Sequence, residues 1–169
     1  ETGHVYTASF GSIYKSEDGG MSWKQLLGDG QDRYTDLVLS DSGLMVACLG
    51  NEEGIGAVLR SVDGDTWTNI TPTGFPSEYV RLVADIAPSN DSIIYVIGNN
   101  GDDSFFWKYK YLSGDGSGSD GLWVDRTANL PDDYTTQNGY DIHVRVSPSD
   151  TNFVFFGGTN LYYTTDGME

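Results

Sequence analysis

The sequence contains a single cysteine among its 169 residues, which excludes an intrachain disulfide bond. Cys48 lies in the apolar stretch LMVACLG, where a cysteine is expected to serve as a small buried hydrophobic side chain. Proline is scarce as well, at five residues, whereas glycine is abundant, at 22. Because glycine supplies the positive φ angles that tight turns need, this composition favours a fold with many short turns.

Basic residues are few, with nine Lys and Arg against 25 Asp and Glu, which gives a formal net charge of −16. A surface of this charge repels phosphate backbones and anionic lipids, so nucleic acid is not an expected partner. The sequence also lacks an apolar run approaching the roughly 20 residues that a membrane-spanning helix needs. Membrane insertion is therefore not expected either.

Metal-ligating patterns are sparse. The two histidines, His4 and His143, have no Cys or His neighbours at ligand spacing, so a zinc site is not expected. The segment DGSGSDG at 115–121 makes Asp115 and Asp120 candidate calcium ligands, but a calcium loop needs glycine at its sixth position and glutamate at its twelfth, where Arg126 stands. A loop rich in acidic residues, with no cofactor, is the preferred interpretation, and calcium is the alternative.

What the sequence does contain is an internal repeat. Residues 57–70, AVLRSVDGDTWTNI, follow the plan of residues 12–25, SIYKSEDGGMSWKQ: a strand-like run, a basic residue, Ser-x-Asp, glycine and then tryptophan. The last nine residues, LYYTTDGME, begin a third copy, and 106–127 has the same order with an enlarged turn. A repeat changes the interpretation of every residue within it, because the same unit must then fold several times.

Each repeat predicts four short strands, for example at 36–40, 44–50, 57–61 and 66–70, and no stretch has a helical apolar period. The segments 83–100 and 144–160 share a strand, a Pro-Ser turn and a second strand that ends in glycine. Four-stranded units that recur every 45 to 55 residues or so are typical of β-propeller blades. The sequence thus predicts an all-β chain made of blades with four antiparallel strands, divided into a partial blade at 1–27, blades at 34–71 and 80–128, and a partial blade at 139–169.

The repeated turn, KSEDGGMSW at 15–23, resembles a catalytic loop but has a structural explanation. A turn between the third and fourth strands leaves backbone N–H groups without ladder partners, and a serine hydroxyl and an aspartate two residues later can accept hydrogen bonds from them. Glycine then allows a positive φ angle, and the tryptophan can bury its ring beneath the turn. The folding of the turn is therefore enough to explain these residue types at this spacing, without a catalytic role.

The turns resemble the Asp-box, or BNR repeat, with the pattern Ser/Thr-x-Asp-x-Gly-x-x-Trp. The resemblance implies a β-propeller in which the boxes are structural and lie at the periphery. Asp-box propellers include sialidases, xyloglucanase-type hydrolases and sortilin-like receptors, and the segment 139–167 is most similar to large bacterial surface-exported repeat proteins with a C-terminal sorting domain. The matching residues are Ser16, Asp18, Gly20 and Trp23 in the first turn, Ser61, Asp63, Gly64 and Trp67 in the second, and Thr164, Asp166 and Gly167 in the third.

The resemblance implies a secreted or cell-surface protein that works as a protein- or glycan-binding scaffold, for example in adhesion. Two complete blades with a partial blade at either end leave sheet faces uncovered, since propellers of this kind need at least four complete blades to close. We therefore expect a partner that completes the propeller, either the remainder of a longer chain or another protein. A surface glycan or a protein segment is the expected ligand.

A glycoside hydrolase is the alternative function. A hydrolase needs two carboxylates that face each other across a cleft, and Asp36, Asp85 and Asp141 are the formal candidates because each lies in or beside the first strand of a blade. A sialidase is less well supported, since none of the five arginines is followed by Ile-Pro. Burial between neighbouring blades accounts for the aromatic strand at 105–111 without a ligand, whereas an exposed aromatic row there would favour glycan or protein binding.

Overall fold

The computed structural model of the chain describes residues 3–30, 34–50, 57–112 and 121–169. These residues form fourteen β-strands and a single turn of 3₁₀ helix, Thr127–Asn129. The strands are β1 (Val5–Ser9), β2 (Ser12–Ser16), β3 (Lys24–Gly28), β4 (Thr35–Leu39), β5 (Met45–Leu49), β6 (Ala57–Ser61), β7 (Thr68–Asn69), β8 (Arg81–Ile86), β9 (Ile93–Asn99), β10 (Ser104–Tyr111), β11 (Gly121–Asp125), β12 (His143–Val146), β13 (Val154–Gly157) and β14 (Leu161–Thr164).

The strands form four antiparallel sheets in which strand order follows chain order. Sheet 1 is β1-β2-β3, sheet 2 is β4-β5-β6-β7, sheet 3 is β8 to β11 and sheet 4 is β12-β13-β14. The prediction of an all-β chain of successive antiparallel sheets is confirmed. The division of the chain into four blades stays a prediction; the sheets themselves lie at 5–28, 35–69, 81–125 and 143–164.

The predicted strands of sheet 2 coincide with β4, β5 and β6 to within a residue or two, but the fourth is shorter than expected, at Thr68–Asn69. The reason lies in the hydrogen bonds at its end. Ile70 still donates its N–H to the carbonyl of Val58, at 2.8 Å, but the N–H of Val58 donates to the Thr71 side-chain oxygen, at 2.9 Å. A side chain thus replaces the backbone partner that would have extended the strand.

The pattern of buried side chains along a strand follows the number of sheet faces that are covered. All seven residues of β9, Ile93–Asn99, are buried, because sheet 3 is covered on both faces and a strand in that position needs apolar side chains on each. In β12, by contrast, exposed and buried residues alternate, as a strand covered on one face requires. Sheet 3 is therefore an inner layer, and one face of sheet 4 remains open.

Two hydrophobic clusters join the sheets. The first lies between sheets 2 and 3, where Leu44, Val46, Cys48, Val58 and Ile70 pack against Leu82, Ala84, Val96, Phe105, Trp107 and Tyr109. The second lies between sheets 3 and 4 and includes Val83, Tyr95, Ile97 and Phe106 on one side and Val144, Val154, Phe156 and Met168 on the other. Since Phe105, Phe106, Trp107 and Tyr109 are all buried, the explanation of this aromatic strand by burial between sheets is confirmed. The expected burial of Cys48 is confirmed too, and it raises the pKa of the thiol well above its usual value.

The open face of sheet 4 carries an aromatic cluster. The ring of Phe155 lies 5.0 Å from that of Phe153 and 6.2 Å from that of Tyr163. Phe155 is 38% exposed and Tyr163 is 66% exposed. Of the helical segments in the described parts of the chain, none has the length and hydropathy needed to cross a lipid bilayer.

Candidate functional site

The first repeated turn, residues 16–23, is closed by its own side chains. The Ser16 hydroxyl donates to Asp18 Oδ1 at 2.7 Å and accepts the backbone N–H of Gly20 at 2.8 Å. Asp18 in turn accepts the backbone N–H of Ser22 at 2.8 Å and its hydroxyl at 2.5 Å. These bonds, those from Ser22 foremost, lower the pKa of Asp18 to about 2.

The second turn, residues 61–67, repeats the arrangement with one residue fewer. Ser61 donates to Asp63 Oδ1 at 3.1 Å and accepts the N–H of Gly64 at 2.8 Å. The same Asp63 oxygen accepts the backbone N–H groups of Thr66 at 2.7 Å and Asp65 at 2.9 Å. These backbone bonds lower the pKa of Asp63 to about 2.

The third turn begins at Thr164 and follows the same plan. The Thr164 hydroxyl donates to Asp166 Oδ1 at 2.5 Å, and that oxygen accepts the N–H groups of Met168 at 3.0 Å and Glu169 at 3.3 Å. The hydroxyl of Thr164 is the main cause of the lowered pKa of Asp166. Gly167 has a φ of +72° and donates its N–H to the carbonyl of Asn152 at 2.8 Å.

The tryptophans of the first two turns do not lie as deep as expected. Trp23 is 44% exposed, so its ring covers the turn instead of being buried beneath it. The cause is local: the indole N–H donates to the carbonyl of Gly20 at 3.1 Å, which keeps the ring on the outer side of the turn. Trp67 is half-buried, and its indole N–H has no hydrogen-bond partner among the described residues.

Two of the three turns also contact the preceding sheet. Lys15, on β2, donates to Asp65 of the second turn at 2.9 Å and pairs with Glu17 at 2.9 Å. Lys108, on β10, lies beside Gly167 of the third turn and donates to the side-chain oxygen of Asn152 at 3.0 Å. A basic residue on one sheet thus reaches toward the turn region of the next. This geometry fits a structural role for the turn residues, which stays a prediction.

The candidate catalytic carboxylates Asp36 and Asp85 contact the backbone of a neighbouring sheet. Asp36 Oδ2 accepts the N–H of Ala84 at 3.0 Å, and Asp85 Oδ2 accepts the N–H of Val146 at 2.7 Å. β8 and β12 are edge strands, whose outward N–H groups have no ladder partner, so a carboxylate from the preceding sheet satisfies one in each. The two aspartates therefore make the same kind of hydrogen bond, to a backbone N–H of the next sheet, at successive sheet boundaries.

Asp85 is half-buried, with 16% of its side chain exposed. Burial raises its pKa, whereas the Val146 N–H and the Arg145 guanidinium, 3.6 Å away, act in the opposite direction. Asp141, the third candidate, is half-buried and lies two residues before β12, where its N–H donates to the carbonyl of Thr136 at 3.1 Å. Among the described residues, no hydrogen bond joins its side chain to Asp36 or Asp85.

The calcium candidates Asp115 and Asp120 lie outside the described residues, so the calcium alternative stays an untested prediction. Within the described ranges, no group of three or more His, Cys, Asp or Glu side chains is arranged to hold a metal ion.

The structure brings together a set of aromatic and cationic side chains that sequence reasoning missed. Phe10 packs edge-on against Tyr34, with ring centres 5.2 Å apart, and the Arg81 guanidinium lies 5.4 Å from the centre of the Tyr34 ring. Arg81 Nη1 also donates to the carbonyls of Gly139, at 3.2 Å, and Tyr140, at 3.0 Å. Phe10 is 52% exposed and Tyr140 is 73% exposed. We call Phe10, Tyr34, Arg81 and Tyr140 the aromatic ridge.

The ridge crosses all four sheets at one end of the strands. Phe10 lies in the β1–β2 loop, Tyr34 precedes β4, Arg81 begins β8 and Tyr140 precedes β12. The Thr35 hydroxyl donates to the carbonyl of Ser9, which ties the Phe10 loop to the start of β4. Because neighbouring strands are antiparallel, the repeated turns after β2, β6 and β14 lie at the opposite end. The sequence feature that could have indicated the ridge is the position of its residues: Tyr34, Arg81 and Tyr140 lie at or just before the first strand of a sheet.

The first strands of successive sheets lie beside one another: β4 contacts β8, and β8 contacts β12. The chain superposes on the solved structure of YCF48 bound to D1 peptide with a TM-score of 0.54 and 19% sequence identity. The chain has a β-propeller fold. The likeness covers 99% of this chain and 48% of the other, so this chain spans about half of that propeller's length. No protein-family model matches the sequence, and no curated protein matches it.

Proposed function

We propose that this chain is part of a β-propeller scaffold that binds a segment of another protein at the aromatic ridge. The observation that carries the proposal is the exposure of Phe10 and Tyr140, at 52% and 73%. Phe10 packs on Tyr34, Tyr34 contacts the Arg81 guanidinium, and Arg81 donates to the backbone carbonyl of Tyr140, so contacts join segments of all four sheets. Exposed aromatic rings bury a large apolar area at little cost in conformational entropy, which suits them to protein recognition. The propeller to which the fold is similar was solved with a bound peptide.

The rigidity of the ridge supports the same function. Arg81 is held on one side by the Tyr34 ring and on the other by two carbonyls, so the side chain has few alternative positions. A surface ordered before its partner arrives loses less entropy on binding than a mobile one. The ridge also lies on loops and strand ends supported by rigid sheets, where propellers offer binding residues without disturbing their core.

The proposal also covers the larger protein to which the scaffold belongs and its location. We propose an Asp-box propeller of a larger exported bacterial protein, at the cell surface or secreted, in which the rest of the chain or another protein covers the open sheet faces. Three turns with a Ser or Thr hydroxyl bonded to an Asp carboxylate support the family, and the exposed aromatic cluster on sheet 4 supports a covering partner. The glycosidase alternative has less support, because Asp36 and Asp85 are engaged with strand N–H groups.

The test is a parallel screen of the purified protein against a peptide library and a glycan array. We expect peptide ligands whose affinity falls by roughly tenfold or more in the variant Phe10→Ser/Tyr140→Ser. The matched control is Phe155→Ser/Tyr163→Ser, which removes two exposed aromatic rings from the open face of sheet 4 and should leave peptide affinity unchanged. Binding to glycans alone, or peptide binding that the ridge variant retains, would contradict the proposal.

A further inference from the structure

Asparagine followed by glycine occurs twice in the sequence, at Asn100-Gly101 and at Asn138-Gly139. This pair is chemically labile, because glycine has no side chain to hinder the attack of its backbone nitrogen on the preceding asparagine side chain. Both asparagines are exposed, so water reaches both. The two sites differ in what holds the asparagine side chain.

The side chain of Asn100 is held by its own turn. Its Oδ1 accepts the backbone N–H of Asp103 at 2.7 Å and that of Asp102 at 3.1 Å. The nitrogen that would attack it is held as well, since the N–H of Gly101 donates to Asn99 Oδ1 at 2.8 Å. Rotation of the Asn100 side chain toward the Gly101 nitrogen therefore requires two hydrogen bonds to break.

The side chain of Asn138 has no hydrogen-bond partner among the described residues. The attacking nitrogen is held much as at the first site, because the N–H of Gly139 donates to the hydroxyl of the buried Thr136 at 3.0 Å. The two nucleophiles are thus comparable, and the difference lies in the electrophile. The side-chain carbonyl of Asn138 can rotate toward the Gly139 nitrogen without losing a hydrogen bond to the described part of the chain.

We propose that Asn138 is a site of self-catalysed deamidation and that the fold protects Asn100 from the same reaction. The backbone nitrogen of Gly139 attacks Cγ of Asn138, so that a new C–N bond closes a succinimide ring and the Cγ–Nδ2 bond breaks. The leaving nitrogen takes the proton of the Gly139 N–H and departs as ammonia. Water then opens the ring at either carbonyl, which gives aspartate or isoaspartate at position 138.

The isoaspartate product lengthens the backbone, because the chain then runs through the former side-chain carbon and gains a methylene group. The affected segment holds Arg81, whose Nη1 donates to the carbonyls of Gly139 and Tyr140. It is also strained, since Gln137 and Asn138 have φ of +48° and +58°, which residues other than glycine adopt uncommonly. The added methylene group therefore displaces the two carbonyls and loosens their contact with Arg81.

The test is peptide mapping by mass spectrometry of the protein aged in mildly alkaline buffer, with and without urea. Trypsin separates the two sites into peptides 82–108 and 127–145. In the folded protein we expect Asn138 to deamidate at least roughly tenfold faster than Asn100, because two hydrogen bonds restrain the Asn100 side chain. In urea the two rates should converge. Equal rates in the folded protein, or a faster rate at Asn100, would overturn the proposal.

The structural consequence has a matched control in the variant Asn138→Asp, which has the charge of the isoaspartate product but an unchanged backbone. The N–H of Tyr140 donates to the carbonyl of Gln137 at 3.3 Å, and the N–H of Asp141 donates to that of Thr136 at 3.1 Å, so both bonds span position 138. We expect these two amides to exchange hydrogen several-fold faster in the isoaspartate form than in the variant. Equal exchange would show that the longer backbone leaves the segment intact, against the proposed loosening.

Discussion

At the scale of single residues, the serine or threonine that opens each repeated turn acts as both donor and acceptor. Its hydroxyl donates to the aspartate and accepts a backbone N–H two to four residues later. A side chain with only one of these capacities would leave part of the turn unsatisfied. The glycine at the centre of the turn is constrained in a different way, by the space around it.

Gly64 and Gly19 allow these constraints to be separated. Both have positive φ, +76° and +73°, but a Cβ on Gly64 would lie 2.3 Å from the Tyr6 hydroxyl, whereas a Cβ on Gly19 would meet nothing within 4 Å. We expect Gly19→Ala to lower the free energy of unfolding by about 1 kcal/mol, the backbone cost alone. Gly64→Ala should lower it by about 1–3 kcal/mol more, because the Tyr6 ring must move.

Urea unfolding of both variants, monitored by tryptophan fluorescence, would measure the difference. Equal losses for Gly19→Ala and Gly64→Ala would mean that the contact between the second turn and sheet 1 does not contribute to stability. A variant Tyr6→Phe/Gly64→Ala, which removes the hydroxyl nearest to the new methyl group, should recover part of the loss.

At the scale of elements, the turns make the strand connections sensitive to acid. Hydrogen bonds lower the pKa of Asp18 and Asp63 to about 2, below the unfolded value of about 3.9. A carboxyl whose pKa is lower in the folded state contributes stability above the unfolded pKa and loses that contribution as the pH falls toward the folded pKa. The two turns should therefore weaken between about pH 4 and pH 2.

The variant Asp18→Asn/Asp63→Asn tests this dependence. We expect its free energy of unfolding to be lower than that of the wild type at pH 7, and the difference to shrink as the pH falls from about 4 to about 2. Urea unfolding at several pH values would measure it, with Asp41→Asn as the control at an exposed aspartate. A difference that stays constant down to pH 2 would show that these carboxylates do not stabilise the turns through their charge.

The turns and strands differ in how well they could be predicted from the sequence. The turn pattern and the strands on either side are local, so their residues could be recognised from spacing alone. Trp23 was expected beneath its turn and is 44% exposed, because the outcome depends on a bond between its indole and Gly20 that competes with burial. β7 is shorter than expected for a similar reason, since the Thr71 side chain takes a backbone partner. Local competition between side chain and backbone was not visible in the pattern.

At the scale of the whole molecule, the sheets are joined by contacts between residues far apart in the chain. Asp36 bonds to the backbone of Ala84, and the Trp123 indole donates to the carbonyl of Ile70 at 2.6 Å. The aromatic ridge is likewise assembled from four segments that meet only after the sheets have packed. Sequence spacing cannot reveal such contacts. Their position in or beside first strands made Asp36 and Asp85, like Asp141, candidate catalytic residues, but it gave no indication of the backbone partners of Asp36 and Asp85.

Asp85 offers the sharpest test of how the sheets are joined. Its carboxylate accepts the N–H of Val146 at 2.7 Å, and truncation would leave that edge N–H without its charged partner. We expect Asp85→Ala to lower the free energy of unfolding by about 1–3 kcal/mol. Asp85→Asn should cost less, because the amide keeps an oxygen acceptor and avoids burying a charge, the cause of the raised pKa of Asp85.

Asp141→Ala is the matched control. Asp141 was also a catalytic candidate, but among the described residues its side chain has no bond to another sheet. We expect this substitution to change the free energy of unfolding by no more than about 0.5 kcal/mol. Urea unfolding with an unchanged m-value would measure all three variants. A larger loss for Asp85→Ala than for Asp141→Ala means that the carboxylate joins sheet 3 to sheet 4 in the folded state. Equal losses would mean that the hydrophobic cluster between these sheets is sufficient to hold them together. The repeated geometry of Asp36 and Asp85 at successive boundaries would then need another explanation.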